Sequence, residues 1–312
     1  MLKLSIKISV EKFTIMWYYG INKKFGAEVC MKIYRNERFG EERALYGVRG
    51  VELVECSFDG IEDGESALKE GKNIKCNNVF FNLRYPLWHD EGILIENSEM
   101  TELCRAALWY SDNIDIKNSK LHGIKALREC KNIKIENSNV KSVEFGWFSH
   151  YIDIENTSFE GEYFMLQAKR LNMKHSSLKG KYSFQYIENS VFENCDFDTK
   201  DAFWHAKNIV VRNSVVKGEY LAWYCENVTF ENCTIIGTQP LCYCKGLKLI
   251  NCTMIDCDLS FEKSEVEADI VGDIISVKNV YSGYVRADSI GEIIVDDDNA
   301  LGVIEVAEKI EK

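Results

Sequence analysis

Short bursts of alternating apolar residues recur along most of the chain. Ile93 and Ile95, Ile114 and Ile116, Ile133 and Ile135, Ile152 and Ile154, Ile209 and Val211, Val228 and Phe230, and Leu247 and Leu249 each bracket one outward position. That is period two with β-branched enrichment, the pattern of a strand with one buried face. Two residues beyond each burst stands an asparagine, and the asparagines keep a beat. Asn137, Asn156, Asn194, Asn213, Asn232 and Asn251, with His175 in one place, form a column of 19-residue steps. Asn78, Asn97 and Asn118 extend it upstream at intervals of 19 and 21, and Glu55 lies 23 before Asn78. A fixed period near ~20 residues marks stacked units, none of which can bury its apolar face alone.

Two further apolar columns run in step. Three residues after the asparagine come Phe58, Phe81, Met100, Leu121, Val140, Phe159, Leu178, Phe197, Val216, Ile235 and Met254. Ten before it come Leu68, Leu87, Leu108, Leu127, Gly146, Met165, Phe184, Phe203, Ala222 and Leu241. Three short strands per turn around one core predict an all-β, single-stranded parallel β-helix of about eleven rungs, mostly 19 residues each. At ~4.8 Å per rung the rod would be on the order of 50 Å long. A leucine-rich repeat of similar period would need a Leu-x-x-Leu-x-Leu frame and a helical segment, and neither is present. Asparagine suits the corners because it tolerates left-handed turns and can bond the next rung's amide. Gly161, Gly180, Gly218 and Gly237 mark a second tight corner.

The pattern divides the chain into residues 1–30, an extension outside the repeat; 31–264, the β-helix; 265–298, irregular strands closing the open end; and 299–312, a tail. A repeat stack needs atypical ends because an uncovered rung is a sticky edge.

Charge and composition narrow the function. The balance of 49 acidic against 38 basic residues, net −11, disfavours a nucleic-acid partner. No run of ~18 apolar residues occurs, so no membrane span is expected. The apolar stretches of the first 30 residues are broken by Lys7, Glu11 and Lys12 and lack a small-residue cleavage site, which reads as a cytoplasmic protein. Most of the twelve cysteines occupy repeat columns as small, buried, reduced thiols. Cys56, Cys195, Cys233 and Cys252 stand where other rungs carry Ser or Thr, while Cys225 and Cys244 lie on adjacent rungs within bridging reach. Cys242 and Cys244 have no second pair at metal spacing, and the Glu62-Asp63-Gly64-Glu65 loop lacks the EF-hand ligand pattern. There is no P-loop, Rossmann fingerprint, Gly-x-Ser-x-Gly elbow or His-Glu-x-x-His motif, so no metal or cofactor is expected.

Candidate chemistry lies beside the buried leucine column. The next residue is Trp88, Trp109, Trp147, Trp204 or Trp223 on five rungs, with Lys69 and Arg128 on two others. Three before it come Glu65, Arg84, Arg105, Glu162, Lys181, Lys200 and Glu219, and one before it come compact residues such as Ala67, Pro86, Ala107, Ala126, Ser183 and Ala202. Read as an outward face, charge, compact residue and indole suit an acidic sugar chain. An indole stacks on a pyranose, and a guanidinium grips a carboxylate in bidentate fashion. Arg84 and Arg105 would hold carboxylate, Trp88 and Trp109 would stack rings, and His89 with Asp90 would be the acid–base candidates. Lys181, Lys200 and Trp204 would form a further subsite. The neighbouring glutamates equally permit plain salt-bridge ladders, and the indoles equally permit packing under a partner chain.

Gly40-Glu-Glu-Arg-Ala-Leu-Tyr-Gly47, Leu83-Arg-Tyr-Pro-Leu-Trp-His-Asp90, Cys104-Arg-Ala-Ala-Leu-Trp-Tyr110, Lys200-Asp-Ala-Phe-Trp-His205 and Gly218-Glu-Tyr-Leu-Ala-Trp-Tyr224 resemble segments of an uncharacterised bacterial pectin-lyase-like family. The resemblance covers about residues 31–298 and implies a right-handed parallel β-helix without an assigned reaction. The polygalacturonase motifs and the clustered aspartates of calcium-dependent lyases are missing. The expectation is therefore a carbohydrate-recognising β-helix, with lyase or hydrolase action on acidic saccharides left open. The alternative is a non-enzymatic scaffold that docks a protein, or forms an oligomer, through its aromatic face.

Overall fold

The computed structural model describes residues 31–60 and 64–307. Among them the chain winds as an all-β parallel solenoid of about 14 turns, with no α-helix and hence none long and apolar enough to cross a membrane. The residues before Met31, and Glu62 and Asp63 of the acidic loop, lie outside the described part.

The alternating bursts form the first sheet. Strands such as Lys131–Glu136, His150–Glu155 and Lys169–Lys174 stack in parallel. Ile133 lies between Ile114 and Ile152, and Ile135 between Ile116 and Ile154. After the asparagine bend a second sheet of shorter strands follows, including Lys120–Leu121, Asn139–Lys141, Ser158–Glu162 and Ser177–Lys181. Its inward column, Leu121, Val140, Phe159 and Leu178, is buried in register.

The solenoid has more turns than the eleven expected because stacking outlasts the asparagine marker. Asn36, 19 residues before Glu55, already holds the left-handed bend at φ 55°. Past Asn251 the first sheet continues through Glu265–Ile270, Ser282–Ala287 and Val303–Val306. One late turn shortens to 17 residues, from Glu267 to Tyr284.

The third face departs from the expected strand. Leu87, Leu108, Leu127, Met165, Phe184 and Phe203 have φ of 59, 55, 64, 57, 59 and 61°. The residues two before and two after them are also left-handed, as Tyr85 and His89 are at 61 and 59°. In an extended strand, neighbours point to opposite faces. Here a left-handed residue at every second position lets neighbours share a face. Ala67, Ala107, Ala126, Ser183 and Ala202 are therefore buried beside the leucine column and do not line an outward groove. Left-handed backbone costs an L-residue roughly 1–2 kcal/mol. What offsets it is complete pairing: Leu87 N–H donates to Ala67 in the turn below at 3.0 Å, and His89 N–H to Trp109 in the turn above at 2.9 Å.

The asparagine bend has its own relay. The next residue on each turn, Ser98, Ser119, Ser138, Thr157, Ser176 or Ser214, is buried. Each hydroxyl donates to a carbonyl two residues back and accepts a main-chain N–H from the preceding turn. Ser138 Oγ, for example, donates to Glu136 at 2.8 Å and accepts from Ser119 at 3.1 Å. Cysteines in this column keep the donor half: Cys195 Sγ faces the Glu193 and Met173 carbonyls at 3.4 and 3.5 Å. All eleven described cysteines are buried free thiols. Burial pushes Cys195 up to about 11 and Cys130 up to about 12, which leaves them poor nucleophiles.

Ser138→Ala removes the acceptor for the buried Ser119 N–H and should cost about 1–3 kcal/mol. Ser138→Cys, which keeps a donor and a weak acceptor, should cost less. Denaturant midpoints check this; an alanine variant that melts like wild type would remove the relay's structural role.

Candidate functional site

The left-handed face carries the tryptophans, and their register explains them. Each indole N–H donates to the carbonyl of a left-handed residue one turn on. Trp88 reaches Ala106 at 2.5 Å, Trp109 reaches Lys125, Trp147 reaches Tyr163 and Trp204 reaches Tyr220 at 2.6 Å, and Trp223 reaches Gln239 at 2.8 Å. Gln185, in the same column, bonds Asp201 O at 3.3 Å. The rings also stack: Trp88 and Trp109 at 5.0 Å, Trp204 and Trp223 at 5.4 Å. Lys69 sits over Trp88 at 5.5 Å, and Arg128 lies between Trp109 and Trp147 at 5.2 and 5.4 Å. The faces of Trp88 and Trp109 are thus taken by each other and by cations, and their edges meet solvent.

Arg84 and Arg105 do come together, with an aromatic ring between them. Their guanidiniums lie 5.3 and 6.0 Å from the centre of Tyr85. The negative face of the ring reconciles two like charges, and Glu65 meets Arg84 at 3.0 Å. Lys181 pairs with Glu162 at 3.1 Å and Lys200 with Glu219 at 2.6 Å, hydrogen bonds that hold both ammonium groups above their ordinary range. Exposed pairs of this kind add little stability.

His89 and Asp90 part company. His89 is exposed and stacks on Tyr110 at 5.0 Å. Asp90 turns into the core at 2% exposure, where Oδ1 accepts the Gly71 N–H at 2.8 Å and Oδ2 has no partner among the described residues. Burial raises its carboxyl to about 8, against the lowering pull of the Gly71 and Glu70 N–H groups. A ligand resting on His89 does not touch it. Asp201 is likewise buried, which pushes its carboxyl up, and burial lowers His205.

The sequence reading passed over two features. One is a ring column, Tyr186, His205, Tyr224 and Tyr243, stacked at 4.7, 5.0 and 4.9 Å; its 19-residue spacing was visible. The other is a groove of about 700 Å³ at the corner after the second sheet. Leu103, Ile124 and Val143, exposed by 65, 42 and 37%, line it, with Arg105 towards one end and Lys179 at the other. His122 bonds Asn139 at 2.7 Å, and Lys141 faces Glu160 at 3.8 Å. Neither Arg105 nor Lys179 has a carboxylate partner among the described residues. The signal for the groove was the 21-residue interval before Asn118, whose extra residues carry Leu103 outward. Among the described residues no cluster of three His, Cys, Asp or Glu side chains is placed to hold a metal ion.

A family model described as "Protein of unknown function (DUF3737)" matches residues 32–304. The chain belongs to the DUF3737 family. No curated protein matches it. Among solved structures, this DUF3737 chain is similar to the catalytic domain of a GH87 α-1,3-glucanase variant in complex with tetrasaccharides. The identity is 8% and the TM-score 0.22, over 89% of this chain and 63% of that one. So loose a likeness bears on neither substrate nor reaction.

Two outcomes follow from the DUF3737 geometry. Asp90 binds its proton more tightly folded than unfolded, so its contribution is full below about pH 4 and is lost as pH rises towards 8. Asp90→Asn should therefore stabilise the protein more at pH 8 than at pH 5, measured by melting at both; equal gains would remove the burial account. Trp109→Ala, which drops a stack and a hydrogen bond on a half-buried side chain, should cost about 1–3 kcal/mol, read from denaturant midpoints.

Proposed function

We propose that the protein binds an extended acidic saccharide along the groove between Arg105 and Lys179, without a chemical step on it. The carrying observation is a pair of cations lacking carboxylate partners at opposite ends of a groove with an exposed apolar floor. The groove crosses five turns, roughly 19 Å at ~4.8 Å per turn. A guanidinium grips a sugar carboxylate with two parallel hydrogen bonds. Leu103, Ile124 and Val143 offer apolar contact to the C–H faces of pyranoses, and His122 and Glu160 offer polar contact to hydroxyls. Binding without turnover is proposed because the acid–base candidates, His89 and Asp90, do not line this groove.

A second reading, docking of a protein partner on the left-handed face, is favoured by the half-exposed rings of Tyr186 and Tyr224 in the stacked column. Tyrosine, tryptophan and arginine dominate the energetics of protein interfaces.

Acidic and neutral glycans on an array separate the two. Wild type should retain uronic-acid oligomers, and Arg105→Ala and Lys179→Ala should each weaken that binding by about tenfold, roughly one charge-assisted hydrogen bond. Retention unchanged in both variants, or no acidic glycan bound, overturns the saccharide reading.

A further inference from the structure

A larger groove, about 1000 Å³, follows the asparagine bend on another side of the solenoid. It runs through six turns, from Asn118 to Asn213. Towards the C-terminal end the column's amides are spent on one another, Asn232 donating to Asn213 at 3.2 Å and Asn251 to Asn232 at 2.8 Å, and before the other end Asn97 donates to the strand residue Asn77 at 3.1 Å. Between those ends the pairing stops. Asn118, Asn137, Asn156 and Asn194 are exposed, and their amides make no side-chain hydrogen bond among the described residues. His175 interrupts the series, since an imidazole cannot continue an amide ladder. The hydroxyls just beneath are already committed to the main chain. What the groove offers a ligand is a row of primary amides, each with two donors and two acceptor lone pairs, repeating at the turn height of ~4.8 Å.

We propose that this row binds a neutral glycan of extended, equatorially linked pyranoses. Charge selects a neutral ligand: the lysine and carboxylate at the groove, Lys120 and Asp196, differ in sign, and Lys120 is drawn to Glu99 at 3.7 Å. Spacing selects a sugar over a peptide. An extended peptide presents same-side groups every two residues, about 6.6–6.8 Å apart, and falls out of step with the amides within a few turns. A 1,4-equatorially linked pyranose chain turns over at each sugar, so its same-side hydroxyls recur every second sugar, close to two turn heights, and stay in step with every second amide. The site differs in place and charge class from the Arg105 groove.

Calorimetric titration with β-1,4-linked glucose oligomers of increasing length tests the proposal. Affinity should climb with each added sugar until the oligomer matches the six turns of the groove. A triple variant, Asn137→Gly, Asn156→Gly and Asn194→Gly, strips three amides while glycine keeps the left-handed backbone; it should lose at least about tenfold in affinity, roughly one net hydrogen bond or more. Arg105→Ala should leave this binding unchanged while it weakens the acidic glycan, so the two sites fail independently. Side-chain amide NMR signals of wild type, followed during titration with the longest oligomer, give a reading that does not depend on the variant folding. Absence of binding, affinity independent of length, unshifted asparagine amides, or equal binding of an extended polar peptide would each overturn it.

Discussion

Consecutive turns are held together by main-chain N–H to carbonyl bonds between residues one repeat apart, and that pairing limits everything else. A residue lies directly over its counterpart, as Ile133 does between Ile114 and Ile152. Whatever a position carries must therefore be tolerable at about 4.8 Å from the same position above and below. Apolar columns meet this by burial, and the phenylalanines meet it by stacking, as Phe39, Phe58 and Phe81 do at 5.2 and 5.1 Å.

Polar columns meet it in other ways. Opposite charges alternate where like charges would repel: Lys72 faces Glu91, Lys169 faces Glu188, Lys207 faces Glu226 and Lys248 faces Glu267. Where cations do recur, a ring or a carboxylate relieves them: Tyr85 lies beside both Arg84 and Arg105, and Lys181 and Lys200, in register, turn to Glu162 and Glu219. Hydroxyls work because each is donor and acceptor at once, so a column of them is self-consistent at any length. The indoles solve a separate difficulty, since they bond carbonyls on a face whose backbone never becomes a strand.

Two of the three faces were legible because extended backbone leaves a period-two trace and a left-handed corner selects asparagine. The third was not, because its left-handed positions hold Leu87, Phe184, Tyr85 and His205, residues that carry no mark of that conformation. The assumption of strand alternation then misplaced the alanine column as outward, and adjacency in sequence alone paired Asp90 with His89. Registering the repeat did locate Trp88, Trp109, Arg84 and Arg105 as neighbours. It did not tell that the indole faces would be used up by stacking, since ring orientation depends on where the N–H finds a carbonyl. The groove residues His122, Lys141 and Lys179 sit in an unremarkable outward column, and only the longer interval beside them hinted at a recess.

That interval has company. The two longest steps, 23 residues ending at Asn78 and 21 ending at Asn118, place their additional residues in the same segment, between the second sheet and the left-handed face. Elsewhere on a turn, one inserted residue would shift every column against its neighbours. At this segment the chain can bulge away and return with the columns realigned. The edge beside Arg105 is thus an expansion joint: the contour of the recess there can be recast by lengthening or trimming a loop, while the rod behind it keeps its pitch.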